Sequence, residues 1–274
     1  MFYDQIIVMM IPLLLTGLLS GFMAGLLGVG GGIIIVPIMA FLLDYSGIHT
    51  TTPMHMAVGS SLAVIVPTSL ISARSHFRLG NIDAWVLYRL GPFVFLGAFG
   101  GAVLASLIDN QALKVIFGTL AVLIGVSFLI KIVVIRDGLP PFFGRVITGG
   151  LIGLISSLIG IGGGLLTVPT LLSCGWDMRK AVGTSALMGL VIAIPGMISF
   201  ILVGFGATGD LPFATGYVWW PAVLIIATGA YVTAPIGAKL SSRVDKILLR
   251  RIFACFLILV GGRLVYMGLQ SPLF

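Results

Sequence analysis

Long stretches of the chain contain almost no polar side chain, and short polar stretches separate them. Eight apolar segments follow from this pattern, at 6–43, 53–73, 84–107, 111–135, 142–174, 180–205, 217–241 and 247–269. A helix of about 20 apolar residues is long enough to cross the hydrocarbon core of a bilayer. Because unpaired backbone groups are costly in lipid and the connecting loops are short, we predict that these segments are membrane helices.

The first and fifth segments are too long for a single crossing, and each contains a run of glycines. The runs are 28–32 (GVGGG) and 160–164 (GIGGG), with apolar residues on both sides. Pro37 and Pro169 follow the runs, where a proline disfavours helix in the preceding residue and removes an amide donor. We therefore predict that each segment is a broken or re-entrant helix hairpin with the glycines at its tip.

The same motifs occur twice in the same order. Residues 26–37 (LLGVGGGIIIVP) return as 158–169 (LIGIGGGLLTVP), and 57–61 (AVGSS) return as 181–185 (AVGTS). A third match relates 101–117 to 237–253. These matches predict a first membrane repeat at 1–136 and a second at 137–274, within one integral membrane domain.

The positive residues indicate how the repeats are oriented. If each broken segment returns to the face it entered, thirteen of the fifteen Lys and Arg residues lie on one face. They are Arg74, Arg78, Arg89, Lys131, Arg136, Arg145, Arg179, Lys180, Lys239, Arg243, Lys246, Arg250 and Arg251. Only Lys114 and Arg263 remain opposite. Since cytoplasmic loops are rich in Lys and Arg, the predicted fold is all-α, with two inverted repeats of about four hydrophobic segments each and both termini outside.

Composition agrees with a chain whose solvent is lipid. Hydrophobic residues make up 59% of the chain and charged residues 8%, against about 25% in soluble domains. The formal net charge of +7 is spread over short loops, which favours membrane orientation over nucleic-acid binding. The first segment has no basic start and is longer than a signal core, so we expect no cleavable signal peptide.

The glycine tips are the first candidate binding residues. They are Gly28, Gly30, Gly31 and Gly32 in the first repeat, and Gly160, Gly162, Gly163 and Gly164 in the second. Consecutive glycine amides can converge on one point and bind an anion, and the following helix directs its positive N-terminal end there. The alternative is close helix packing through small residues. A nucleotide-binding loop is not expected, because no Gly-Lys-Ser/Thr follows.

Hydroxyl residues beside the tips are the second candidates. Ser60 and Ser61 occur in an otherwise apolar helix, and Thr184 and Ser185 match them in the second repeat. Hydroxyls can donate to sulfonate or carboxylate oxygens, although bonds to a helix carbonyl are the alternative. Thr167 is a weaker candidate, because its counterpart is an isoleucine. The three histidines have no metal-binding spacing, so no metal or cofactor is expected.

The paired motifs resemble those of the TauE/SafE family, also called the sulfite exporter family. The resemblance covers about residues 6 to 269 and rests on the two GxGGGxxxVP runs and the two AVG(S/T)S runs. It implies movement of sulfite, sulfonates such as sulfoacetate, or other small organic anions across the bacterial inner membrane. It also implies that both glycine motifs and the hydroxyls of Ser60, Ser61, Thr184 and Ser185 form the substrate site.

The leading hypothesis is therefore a multi-pass permease that exports a small anion by alternating access. Its expected partners are that anion and the lipid bilayer, and not nucleic acid. A passive anion channel and an ion-coupled importer of a small organic anion are the alternatives. An intramembrane enzyme is not expected, because no nucleophile, acid or metal constellation is visible in the sequence.

Overall fold

The computed structural model describes residues 2–27, 30–45, 50, 52–130, 136–207, 211–240 and 246–270. Within them the helices are α1 Phe2–Leu27, α2 Gly32–Tyr45, α3 Pro53–Arg78, α4 Ala84–Ser106, α5 Asn110–Leu129, α6 Phe142–Leu158, α7 Gly164–Ser173, α8 Met178–Val203, α9 Trp220–Leu240 and α10 Lys246–Gln270. A short antiparallel hairpin, β1 Ala214–Thr215 and β2 Val218–Trp219, precedes α9. The predicted all-α class is confirmed.

Seven of the described helices are long and apolar enough to cross a membrane. The shorter apolar helices are α2, α6 and α7, with 14, 17 and 10 residues. All three belong to the two segments that the sequence predicts to be interrupted. In the first of these, α1 carries a candidate span of 19 residues, Val8–Leu26, so it is long enough to cross by itself.

Both interruptions occur at the glycine runs. Helix α1 ends at Leu27 and α2 begins at Gly32, while α6 ends at Leu158 and α7 begins at Gly164. Gly30 and Gly160 have φ angles of 83° and 65°, in the left-handed region that side chains rarely adopt. The glycines thus permit the backbone conformation at which α1 ends before α2 and α6 ends before α7. That each broken segment is a re-entrant hairpin stays a prediction.

Each hairpin packs against a helix of the other repeat through glycines. A Cβ atom on Gly17 of α1 would lie 2.3 Å from the carbonyl oxygen of Ile226 in α9. The equivalent contact joins α6 to α4, where a Cβ on Gly149 would lie 3.2 Å from the carbonyl oxygen of Leu90. Backbones approach this closely only where side chains are small, which is typical of packed membrane helices. The two repeats are therefore interlocked rather than side by side.

Corresponding helices of the two repeats pack antiparallel. In α5 and α10, Gly118 approaches Gly261, and Gly125 approaches the carbonyl oxygen of Ala254. Residue numbers thus rise along α5 in the direction in which they fall along α10, so the two helices are antiparallel. The same holds for α3 and α8 at the centre, where Gly196 approaches Leu62 and Gly189 approaches Ser69. This geometry is the basis for the topology proposed below.

An ion pair between a buried lysine and a part-buried aspartate joins the C-terminal end of α2 to α5. The ammonium nitrogen of Lys114 in α5 lies 2.7 Å from a carboxylate oxygen of Asp44, and the Lys114 residue is 5% exposed. The charge pattern predicts Lys114 on the face opposite most Lys and Arg residues, and it gives no sign of the pairing with Asp44. Because breaking a buried pair leaves an uncompensated charge, this contact holds α2 against α5.

Candidate functional site

The two glycine tips touch at the centre of the bundle. A Cβ on Gly30 would lie 3.0 Å from the Cα of Gly162, and one on Gly32 would lie 2.3 Å from the carbonyl oxygen of Gly160. The hydroxyl of Ser61 in α3 donates to that same Gly160 carbonyl across 2.8 Å. The two tips thus form one structural unit that packs between α3 and α8, although they come from separate parts of the sequence.

A small cavity adjoins the tips between α3 and α8. It is lined by Ala24, Gly30, Thr68, Ser69, Ser72, Gly163, Gly164, Ser185, Ala186 and Gly189. About 10 Å³ of it is open to the centre of a water molecule, which is close to the minimum for one buried water. The lining contains hydroxyls, backbone and small apolar groups, and no ionisable side chain. A ligand larger than water would need the helices to separate.

Two serines offer free hydroxyls to this cavity. Ser69 and Ser72 have no hydrogen-bond partner within the part of the chain that the structure describes. The hydroxyl of Thr68 instead donates to the carbonyl of Val64, and that of Ser185 donates to the carbonyl of Val182. Ser69 and Ser72 can therefore donate to a bound anion without breaking a protein hydrogen bond.

Backbone amides at the second tip are also available. Among the described residues, no acceptor pairs with the amides of Gly162, Gly163 or Gly164. These amides precede or begin α7, whose N-terminal end carries partial positive charge. At the first tip the amide of Gly32 already donates to the carbonyl of Gly30. The amides of Gly30 and Gly31 have no acceptor among the described residues either, so both tips retain amides that can donate to an anion.

The repeat defines an equivalent region on the other side of the tips. At the offset that matches Ser61 with Ser185, the cavity residues Thr68, Ser69, Ser72, Ala186 and Gly189 correspond to Ile192, Ala193, Gly196, Leu62 and Ile65. We call the first group the open side and the second group the plugged side. Leu62, Ile65, Ile192 and Ala193 are all 0% exposed. Leu62 and Ile65 thus fill on the plugged side the space that Ala186 and Gly189 leave on the open side, whereas Ala193 and Gly196 are smaller than Ser69 and Ser72.

Ser60 and Thr184 hold loops of the opposite repeat. The hydroxyl of Ser60 accepts a hydrogen bond from the Trp219 amide at 2.9 Å, and the hydroxyl of Thr184 accepts one from the Asp83 amide at 2.9 Å. Gly59 and Gly183 allow the close approach, because a Cβ at either would collide with a carbonyl of the docked loop. Both hydroxyls are thus engaged with protein, and their predicted contact with substrate stays a prediction.

The Asp83 carboxylate fixes one of these loops. It accepts from the amides of Trp85 and Val86, which caps α4, and from the indole nitrogen of Trp176 at 2.9 Å. Burial acts to raise the pKa of Asp83. These three hydrogen bonds, with the nearby charge of Lys180, outweigh it and hold the pKa below its ordinary value. The ionised carboxylate is the form that keeps the loop docked.

The structure brings some predicted site residues to the cavity and places others elsewhere. Gly30, Gly163, Gly164 and Ser185 line it. Gly31, Gly32, Gly160 and Gly162 form the tips, and Gly28 lies outside the described residues. Thr167 is 0% exposed, and its hydroxyl has no partner within the described chain.

Sequence reasoning missed the small apolar lining residues and three cavity hydroxyls, those of Thr68, Ser69 and Ser72. A signal was present, because Ser61, Thr68 and Ser72 are spaced i, i+7 and i+11 and so share one face of α3. The hydroxyls predicted from sequence are mainly those that recur in both repeats. Thr68, Ser69 and Ser72 do not recur, since their counterparts in the second repeat are Ile192, Ala193 and Gly196.

Several known proteins resemble the chain over nearly its whole length. The family model described as Sulfite exporter TauE/SafE matches residues 13–264. A probable membrane transporter protein of Haemophilus influenzae is 38% identical over 251 residues, covering 90% of this chain and 95% of that protein. Another, from Methanocaldococcus jannaschii, is 30% identical over 260 residues, with 92% and 94% covered. No solved structure matches the chain.

Proposed function

The chain belongs to the TauE/SafE sulfite exporter family of multi-pass membrane transporters, and we propose that it exports small sulfur-containing or organic anions across the bacterial inner membrane. Sulfite and sulfonates such as sulfoacetate are the proposed substrates. The observation that carries this proposal is the cavity beside the glycine tips, where free amides and hydroxyls converge without any ionisable side chain.

We propose that the repeats 1–136 and 137–274 are inverted across the membrane. Helix directions support this, because the corresponding pairs α3–α8 and α5–α10 are antiparallel. Equivalent elements that run in opposite directions imply a two-fold axis in the membrane plane, as in many secondary transporters. The open side then faces the same side as the loops around Arg78 and Arg179, which the charge distribution places in the cytoplasm. Both termini lie outside.

Within this topology the bound anion sits at the open side. The amides of Gly163 and Gly164 and the hydroxyls of Ser69, Ser72 and Ser185 form the proposed contacts, with Gly30 closing the first-tip side. Neutral donors suit a compact oxyanion with several acceptor oxygens. A larger anion with an apolar body would contact mainly small apolar side chains and few hydrogen-bond donors in this cavity. Transport requires the plugged side to open after the open side has closed.

The membrane potential is the proposed driving force. Of the described aspartates, Asp83, Asp109 and Asp177 cap helix N-termini, and Asp44 pairs with Lys114. None lines the cavity between the tips. An inside-negative potential favours anion exit by roughly 2.3 kcal/mol per charge per 100 mV. An exporter of this kind needs no carboxylate for proton coupling.

Flux in proteoliposomes tests the proposal. A potassium-diffusion potential is imposed with pH and sodium gradients held at zero, and efflux of sulfite and sulfoacetate is measured. We expect saturable efflux that follows the potential and shows counterflow. Flux that appears only with a proton or sodium gradient would indicate an ion-coupled importer. Flux that does not saturate would indicate a channel.

A further inference from the structure

The helix pair α6–α7 contains buried hydroxyls that no described residue satisfies. Ser156 and Ser157, at the end of α6, are both 0% exposed and have no hydrogen-bond partner within the described residues. Buried hydroxyls without partners are uncommon in folded proteins and call for an explanation. The first hairpin behaves differently, because Thr16 and Ser20 donate to the carbonyls of Pro12 and Gly17.

The repeat shows where these serines lie relative to the pathway. Ser156 corresponds to Ala24, which lines the cavity on the open side. The same equivalence is visible in the packing, since Gly17 approaches Ile226 and its counterpart Gly149 approaches Leu90, the counterpart of Ile226. Ser156 therefore occupies, on the plugged side, the position that lines the cavity on the open side.

Ser157 is next to the plug itself. A Cβ on Gly196 would lie 2.9 Å from the Ser157 hydroxyl and 3.0 Å from a methyl of Leu62. Gly196 and Leu62 are the counterparts of Ser72 and Ala186, both of which line the open cavity. The Ser157 hydroxyl is thus beside the residues that would have to separate if the plugged side opened.

From this placement we propose that Ser156 and Ser157 form an outward-facing half-site for the transported oxyanion. The proposal rests on the proposed function, because it needs the plugged side to open to the outside. Each serine can donate one hydrogen bond to an anion oxygen. Each side carries serines where the other side has small residues without a hydroxyl. Ser69 and Ser72 correspond to Ala193 and Gly196 in the other repeat. Ser156 and Ser157 correspond to Ala24 and Gly25. The anion then exchanges one pair of serines for the other.

Site-specific thiol labelling tests this half-site. Cys174 and Cys255 are replaced by alanine, and Ser156→Cys is introduced alone, with Ser157→Cys as a second variant. A cationic, membrane-impermeant methanethiosulfonate is applied from outside to intact cells or from inside to inverted vesicles. Sulfoacetate is the probe anion, because sulfite itself cleaves the mixed disulfide that the reagent forms. Ser72→Cys is the matched control for the inner side.

We expect Ser156→Cys to react from outside and sulfoacetate to slow the reaction at least threefold, while Ser72→Cys reacts from inside. Reaction of both serine positions only from inside, or of neither in a folded protein, overturns the proposal. A labelling rate that sulfoacetate leaves unchanged also overturns the proposal. A labelling rate that sodium alone slows overturns it as well, because it would indicate a cation site. Failure of the proposed function is seen separately, as absence of anion flux by the wild-type protein.

Discussion

The open side and the plugged side come from the same duplicated sequence, yet the open side lines a cavity, whereas Leu62, Ile65, Ile192 and Ala193 on the plugged side are fully buried. Ala186 and Gly189 on the open side correspond to Leu62 and Ile65 on the plugged side. Ser61 on the plugged side donates across to the second tip, whereas its counterpart Ser185 donates back into its own helix. The duplicated backbone permits opening on either side, and side-chain size selects the side that is closed in this conformation.

The two sides also differ in what their polar groups do: those of the plugged side stabilise the closed structure, and those of the open side are available to a ligand. On the plugged side, apolar contacts and the Ser61 hydrogen bond stabilise closure over the tips. On the open side, the hydroxyls of Ser69 and Ser72 and the amides of Gly163 and Gly164 have no partner among the described residues and are available to a ligand. Residues that are equivalent in the repeat are thus expected to give different phenotypes, and substitutions at matched positions can test the comparison.

The largest effect is expected at Gly163. A Cβ there would lie 2.9 Å from the amide nitrogen of Gly189 and 2.9 Å from the carbonyl oxygen of Ser185, both backbone atoms that cannot move aside. Overpacking of this kind costs about 1–3 kcal/mol, so we expect Gly163→Ala to lower anion flux roughly five- to 150-fold. Gly100→Ala is the control, because open space surrounds Gly100. Equal flux in both folded variants would show that the tip tolerates a side chain.

A smaller, rescuable effect is expected at Gly189. A Cβ there would lie 2.5 Å from the Ser69 hydroxyl, which would be displaced from the cavity. We expect Gly189→Ala to weaken sulfoacetate binding up to about tenfold. Adding Ser69→Ala should remove the clash, so the double variant binds no worse than Ser69→Ala alone. Ile65→Val, at the matched position of the plugged side, should leave binding unchanged, and additive losses in the double variant would contradict this geometry.

Ser185 and Ser61 should separate binding from stability. Ser185→Ala removes a cavity hydroxyl and should weaken anion binding by about 0.5–1.5 kcal/mol, roughly two- to twelvefold. Ser61→Ala leaves the buried Gly160 carbonyl without its donor, which costs about 1–3 kcal/mol of stability. Titration by thermal shift gives the first quantity, and thermal unfolding without ligand gives the second. The distinction fails if both variants lose affinity equally.

The smallest effect concerns the Asp83 loop and pH. Because the pKa of Asp83 is below its ordinary value in the folded protein, its ionised form adds stability that is complete above the unfolded-state pKa of about 3.9. That stability is lost as pH falls through the folded-state pKa. Thermal unfolding of Asp83→Asn should therefore differ from wild type at pH 6 and converge with it in strong acid. A constant difference at every pH would contradict the role of the charge.

Much of the fold was accessible from sequence because lipid imposes simple rules. The apolar segments, the repeat and the helix breaks at the glycines follow from hydrophobicity and self-similarity. The Lys114–Asp44 pair was not predictable, because it joins residues 70 positions apart whose proximity depends on the tertiary arrangement of the helices. The hairpin β1–β2 was missed for a related reason, since its two-residue strands have no periodic signal.

The candidate site was only partly accessible. Recurrence in both repeats drew attention to the tips and to Ser185, which reach the cavity, and also to Ser60 and Thr184, which hold loops. Recurrence marks what the repeat needs structurally. The residues that make the two sides different, such as Ser69 and Ser72, are by definition those that do not recur.

The central claim is that the open side is the cytoplasmic half of an anion pathway. Its most direct test is the labelling rate of Ser72→Cys in a protein without other cysteines, measured from each side of the membrane with and without sulfoacetate. We predict reaction from the cytoplasmic side, slowed by sulfoacetate in proportion to its occupancy, and none from outside. Reaction from the outside, or a cytoplasmic rate that no tested sulfonate alters, would contradict the account.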